Sequence, residues 1–329
     1  MTALPVTLGD IIAARARIGG HVRRTPMQAD AALSALCGQR VLLKLEHHQT
    51  TGAFKLRGAT NALLTLSAAE LARGVVTAST GNHGRALAHA AAAQRVRAVV
   101  CLSHLVPANK VAAIRALGAE VRVVGDSQDA AMVEVARCVM QEGLTEIAPF
   151  DDARVVAGQG TLGLEVMEDC PEAALVLVPL SGGGLASGVA AAVKGLRPEM
   201  RVIGVSMQRG AAMAASLAAG HPVQVTELSS LADSLGGGIG LTNAITYQMC
   251  RALLDDVILL SEAEIAAGMR HAWQIGETIE GAAAVGIAAL LAGKVATSGP
   301  VVAILSGQNV DPALHSRVMA GANAVEAMP

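Results

Sequence analysis

Short apolar runs alternate with stretches of helical period along most of this chain. "RVLLKLEH" (40–47), "GVVTAST" (74–80), "RAVVCLS" (97–103), "EVRVVG" (120–125), "ALVLVPL" (174–180), "RVIGVSM" (201–207) and "PVVAILS" (300–306) have strand length and are bounded by Gly, Pro or polar residues. Between them lie helical segments: "GNHGRALAHAAAAQ", "PANKVAAIRALGA" with proline at its start, and "SGGGLASGVAAAVKGL". Strands that are apolar on both faces belong in parallel sheets covered by helices. The pattern predicts an α/β fold with helices on both sheet faces. Ligands in such sheets sit beyond the carboxyl ends of strands, so the loops after each run are where chemistry is expected.

Composition narrows the function. The chain has 329 residues, more than one hydrophobic core usually serves, so two lobes are expected. Hydrophobic residues make up 52% and charged residues 16%, the balance of a well-buried globular protein. The net charge of −2 and the scattered Lys and Arg leave no nucleic-acid surface. Phe54, Phe150, Tyr247 and Trp273 are the only aromatics, too few for a base-stacking platform. The five cysteines are far apart and form no CxxC pair, so neither a zinc site nor a disulfide framework is indicated; reduced thiols in the cytoplasm are expected. The N-terminus lacks a signal-peptide pattern. The closest approach to a membrane span, "EGAAAVGIAALLAG" (280–293), is short and alanine-rich and fits a buried helix.

Four strand-end loops carry candidate chemistry. In "TGAFKLRGA", Lys55 lies between Phe54 and Leu56 with glycines three residues to either side. An apolar pocket would lower its pKa and free its amine to form a Schiff base. The alternative is a surface lysine with Arg57 as a second surface cation. "SGGGLASG" (181–188) follows a strand and opens a helix, a combination that binds phosphate. It is not a dinucleotide fingerprint, because Ser187 stands at the third glycine position. "GQGTLG" (158–163) has suitable glycines but no strand before it, and is read as a chance match. In "STGNHG" (79–84), Ser79 and Thr80 can cap a helix, and Asn82 and His83 add donors suited to a carboxylate. "LSGQNVD" (305–311) places Ser306 at the end of the last strand.

In this order and spacing, TGxFKxRGA, SxGNHG, the glycine loop and SGxNVD resemble the signature of fold-type-II pyridoxal-phosphate enzymes. The resemblance is to the threonine dehydratase and serine racemase group, along nearly the whole chain. "LEHHQTTGAFKLRGATNA" and "ASTGNHGRALAHAA" are most similar to hydroxyectoine-utilisation dehydratases. The family implies a tryptophan synthase β-like fold of two three-layer αβα lobes with the cofactor between them. Residues 1–50 and 151–329 would form the large lobe and 51–150 the small one.

The resemblance also implies roles. Lys55 would hold pyridoxal phosphate as a Schiff base, with Phe54 against the ring and Asn82 on its phenolic oxygen. Ser181, Gly182, Gly183, Gly184 and Leu185 would cradle the phosphate. Ser306 would meet the ring nitrogen. Ser79, Thr80, His83 and Glu280 would face the substrate, an amino acid. The implied reaction is elimination of water from a β-hydroxy α-amino acid to give a 2-oxo acid and ammonia, with Lys55 as the base. A substrate derived from hydroxyectoine is implied; threonine, serine and 3-hydroxyaspartate are alternatives. Racemases of the family keep a serine as second base where this chain has Thr80, which weakens a racemase reading. The divalent-cation glutamate of many relatives is replaced by Ser206 or Met207, so that metal site is expected to be missing. A homodimer is implied by analogy.

Overall fold

The computed structural model describes residues 4–325 apart from Thr80, Leu105 and Pro107. Thr80, expected at the catalytic centre, therefore lies outside the described residues. The strands are β1 (Met27–Ala29), β2 (Val41–Lys44), β3 (Val75–Ala78), β4 (Ala98–Leu102), β5 (Glu120–Val123), β6 (Thr145–Glu146), β7 (Leu175–Pro179), β8 (Arg201–Met207), β9 (Asp256–Leu260) and β10 (Val301–Ile304). Each of the seven apolar runs contains one of them. The sequence pattern did not reveal β1, β6 and β9. The first two are three and two residues long, and β9 is an edge strand whose first residue, Asp256, is exposed.

The strands form two sheets. One has the order β1-β2-β10-β7-β8-β9 and is parallel except at β1, which runs antiparallel to β2. The other has the order β5-β4-β3-β6 and is parallel throughout. Apolar side chains fill both faces of the larger sheet. The helix Gly281–Leu291 packs into one core with Leu177, Ile203 and Ala303, and the helix Gly184–Leu196 into the other with Val176, Val178 and Val302. The alanine-rich run at 280–293 is thus a buried helix, and no helix among the described residues is long and apolar enough to cross a membrane.

The Lys55 segment is tied into this frame by close backbone packing. Lys55–Leu64 is a helix lying against the helix Ala153–Asp169. A Cβ on Gly158 would lie 2.6 Å from the carbonyl oxygen of Arg57, so that position requires glycine for this approach, and one on Gly58 would meet Nε2 of Gln159 at 2.4 Å and Cγ1 of Val155 at 2.8 Å, which would have to shift. "GQGTLG" lies inside the second helix, where its glycines serve packing.

Arg57 does not sit on the surface. It is 1% exposed, and all five of its N–H groups are used. Nε and Nη2 donate to the Glu46 carboxylate at 2.7 and 2.9 Å. Nη1 donates to Glu165 at 2.6 Å and to Thr161 at 3.3 Å, and Nη2 also reaches the carbonyl of Arg23 at 3.2 Å. Lys44, buried beside it, pairs with Glu165 and Asp169, both at 2.9 Å. Burial opposes the Arg57 charge, but Glu46 and Glu165 outweigh it and its pKa is raised. Arg57→Met would leave two carboxylates buried without their guanidinium and should cost about 3–5 kcal/mol in urea unfolding. Arg57→Lys, which keeps the charge with fewer donors, should cost less. Stability within about 1 kcal/mol of the parent for Arg57→Met would show that the cluster does not hold the helix in place.

Candidate active site

Lys55 is the first residue of its helix, and its amine is enclosed although the residue as a whole is only part-buried. Nζ donates to the carbonyl of Pro149 at 2.6 Å and lies 5.2 Å from the centre of the Phe54 ring. Burial lowers its pKa to about 8, against an opposing pull from Glu280. The preceding loop is stitched to the last strand end. Phe54 N–H donates to Ser306 O at 3.0 Å, Ala53 bridges Gly307, and Gln308 N–H donates to Gly52 O at 2.9 Å. Ser306 is buried, and its hydroxyl has no partner among the described residues.

The glycine loop approaches from β7. Ser181, Gly182 and Gly183 lead into the helix Gly184–Leu196, with Gly183 in the left-handed region at φ +88°. A Cβ on Gly182 would lie 2.4 Å from the Phe150 ring. Phe54, Phe150 and Leu185 pack in one apolar cluster, so this loop and the Lys55 loop share a wall. The N–H groups of Gly182, Gly183, Gly184 and Leu185 donate to no acceptor among the described residues, although all four residues are buried. Buried amides are normally paired, and a row of free ones at a helix start is an anion site. The loop therefore fits a phosphate.

Asn82 opens the helix Asn82–Ala93 on the other side. Its Nδ2 donates to Oε1 of Glu280 at 2.8 Å, which uses one of its two protons. Its Oδ1 accepts from Nδ2 of Asn309 at 2.6 Å, and Oδ1 of Asn309 accepts from Arg85 at 2.8 Å. Glu280 is 3% exposed; burial and the nearby Asp233 charge raise its pKa to about 7. Glu280 N–H in turn donates to Gly307 O at 3.1 Å. Lys55, Asn82, Glu280 and Ser306 thus converge from four separate segments.

Ser79 and His83 lie beside this group. Ser79 Oγ accepts from Gly84 N–H at 3.1 Å, as a helix-start cap does. His83 is 2% exposed, and its Nε2 lies 2.9 Å from the carbonyl of Ile147. A carbonyl only accepts, so Nε2 carries the proton and buried Nδ1 presents a lone pair without a partner. Burial, with Lys55 adding to it, pushes the imidazole pKa down to about 3. His83 thus meets Ile147 through Nε2, with Nδ1 left for a further contact.

Asn309 and Arg85 were missed from sequence. Asn309 was visible in "SGQNVD", but only folding brings it to Asn82, 227 positions away. Arg85 follows "GNHG" on a helix, where an arginine ordinarily reads as a solvated surface residue.

Comparison with known proteins agrees with this geometry. A family model described as pyridoxal-phosphate dependent enzyme matches residues 18–307. A Sinorhizobium fredii protein that carries a provisional threonine dehydratase name is 63% identical over 318 residues, 96% of each chain. The catabolic L-threonine dehydratase of Escherichia coli is 39% identical over 319 residues, again 96% of each chain. Maize serine racemase is similar in structure, with a TM-score of 0.91 at 32% identity, covering 96% of this chain and 97% of that one. On the family match and these end-to-end similarities, the chain belongs to the pyridoxal-phosphate dependent enzymes of fold type II.

Proposed function

We propose that this enzyme eliminates water from a β-hydroxy α-amino acid and releases a 2-oxo acid and ammonia. The observation that carries the reading is the convergence of a lysine of lowered pKa with free buried amides and an unpartnered serine hydroxyl. Lys55 would hold pyridoxal phosphate, the amides of Gly182 to Leu185 its phosphate, the spare N–H of Asn82 its phenolic oxygen, and Ser306 its ring nitrogen. Ser181 begins the phosphate loop, and Phe54 lies beside the lysine. The bound cofactor supplies an electron sink for the pair released when Cα loses its proton. Lys55 Nζ takes that proton, since an amine of pKa about 8 exchanges protons readily near neutrality. Ser306, a hydroxyl and not a carboxylate, can donate a hydrogen bond to a ring nitrogen without surrendering its proton.

The substrate reading is finer. A cavity of about 310 Å³ lies beside the Asn82–Asn309 pair, lined by Arg85, Lys110, Ala113, Gln308 and Asn309 among others. Of the Arg85 guanidinium nitrogens, only Nη1 has a hydrogen-bond partner among the described residues, which leaves further donors for a carbonyl or carboxylate. That room and polarity favour a side chain longer than threonine's, such as an acylated 3-hydroxy-2,4-diaminobutyrate derived from hydroxyectoine. Similarity to maize serine racemase keeps a racemase as the second reading, with Thr80 as its second base.

The first test is the visible spectrum of the holoenzyme as threonine, serine, 3-hydroxyaspartate and hydrolysed hydroxyectoine are added singly, with 2-oxo acid, ammonia and product chirality assayed. The expected result is a cofactor band that changes with one β-hydroxy substrate while ammonia is released; an inverted amino acid without ammonia would select the racemase. Lys55→Ala should abolish the covalent cofactor band and reduce turnover by several orders of magnitude.

Apoenzyme capture of pyridoxal phosphate should depend on pH. Only the neutral amine attacks, and a pKa lowered to about 8 makes half of it available there. The rate of band formation should rise up to about pH 8 and level above it; a rate still climbing tenfold per pH unit at pH 9 would indicate an unshifted lysine. Arg85→Gln should raise KM for the acylated substrate about tenfold, and by more than for threonine. An equal effect on both substrates would mean that Arg85 acts only by holding Asn309.

A further inference from the structure

Two imidazoles and a carboxylate meet outside the Lys55 pocket. His47 and His48 occupy the short turn Glu46–His48, and Glu277 lies in the segment after the helix Glu262–Gln274. Nε2 of His47 lies 2.7 Å and Nε2 of His48 2.9 Å from one oxygen, Oε2 of Glu277. One potential ligand atom from each residue lies within 4.8 Å of the others. The two rings are edge to face, with centroids 4.3 Å apart and planes at 71°, so adjacent residues aim the same nitrogen at a common point. Oε1 of Glu277 has no partner among the described residues. The His47 side chain is 1% exposed, Glu277 14% and His48 42%, so one face of the cluster is anchored and the other opens to water.

We propose that His47, His48 and Glu277 bind one divalent transition-metal ion, with Zn²⁺ the best-matched occupant and water completing its shell on the His48 side. Two imidazoles and one carboxylate form a three-ligand zinc set with an open position. Ca²⁺ and Mg²⁺ prefer shells made of oxygen and match this donor set poorly. Ligand atoms about 2.05 Å from a tetrahedral ion stand roughly 3.3 Å apart. The pairs at 2.7 and 2.9 Å would therefore open by about half an ångström. The exposed His48 and the terminal rotation of Glu277 allow that movement. The site is distinct in place from Ser206 and Met207, which lie at the end of β8.

Its position gives the ion a consequence. His47 N–H donates to Leu305 O at 2.9 Å, next to Ser306. The chain runs from His48 directly through Gly52 to Lys55, while Glu277 leads into Glu280. The ion would pin the Lys55 loop to the Glu280 segment and would act by positioning. It is independent of the reaction proposed at Lys55.

The test uses holoenzyme treated with EDTA, freed of unbound pyridoxal phosphate and titrated with ZnCl₂ by calorimetry and against a chromogenic zinc chelator. One ion per chain should bind, with an increase in Tm in excess ZnCl₂. His48→Ala and Glu277→Gln, prepared separately so that one misfolded variant does not decide the matter, should each weaken binding by more than about tenfold while the visible cofactor band stays unchanged. MgCl₂ and CaCl₂ should not compete. Absence of saturable zinc binding, binding indifferent to both substitutions, or equal binding of Mg²⁺ would overturn the proposal. Since the readout is metal binding, its failure leaves the lyase reading untouched, and loss of lyase activity would not bear on the metal.

Discussion

The buried Arg57 guanidinium is the constraint on which the rest of the site depends. It lies two residues after Lys55, in the first turn of the same helix. Its partners come from the turn after β2 (Glu46), from the helix Ala153–Asp169 (Thr161 and Glu165) and from the N-terminal segment (the Arg23 carbonyl). Paying the desolvation of one cation fixes three segments relative to the lysine, because a planar fork with five donors accepts few arrangements. Hydrophobic packing alone would not set the rotation of that helix so narrowly. Leu56, Ala59 and Leu63 bury their stripe against Leu87 and Val155, and alanine-rich contacts of this kind tolerate some sliding. The charge cluster removes that freedom, and the glycine contact between Gly58 and Gly158 sets how close the two helices come.

With the lysine helix fixed, the site is built by leaving polar groups unsatisfied. The free amides at Gly182 to Leu185, the unpartnered Ser306 hydroxyl and the desolvated Lys55 amine all cost stability in the empty protein. The Arg57 cluster beside the site is saturated, with Glu46 accepting from Arg57, Thr25 and Gln49, although Thr77 Oγ1, Gln159 Nε2 and Tyr247 Oη are buried without a partner elsewhere among the described residues. The gathering of unpartnered amides, the Ser306 hydroxyl and a desolvated amine at one centre marks a ligand site. It also fits a cofactor bound through both a phosphate and a carbonyl carbon.

The sequence made the frame legible because most of its strands are apolar runs, a pattern that survives without knowledge of partners; β5, with Glu120 and Arg122 on one face, is the exception. The Lys55 loop and the glycine loop were legible because their local chemistry is unusual wherever it occurs. Arg57 was not, since a charged side chain in isolation reads as surface, and its Glu165 partner lies 108 positions away. The surroundings of His83 were hidden for a related reason. Its neighbour Asn82 meets Glu280, but the next position on the helix turns the imidazole to the Ile147 carbonyl, where burial favours the neutral ring. Strand β6 escaped because two residues carry no period; pairing with Val75 and Val76 alone makes it a strand.

Burial also explains how the centre handles protons. It lowers the pKa of Lys55 to about 8 and raises that of Glu280 to about 7, moving a base and an acid towards each other. In water the two groups lie about six units apart, and a proton passes from carboxylic acid to amine with a large, fixed preference. Burial narrows that gap from both sides. Asn82 touches the Glu280 carboxylate directly, so the ionisation of Glu280 is felt on the amide meant for the cofactor. An amide that donates to a carboxylate is polarised more than one that donates to a carboxylic acid. The charge of Glu280 therefore acts on Asn82 as well as on Lys55, and one buried glutamate links the two side chains.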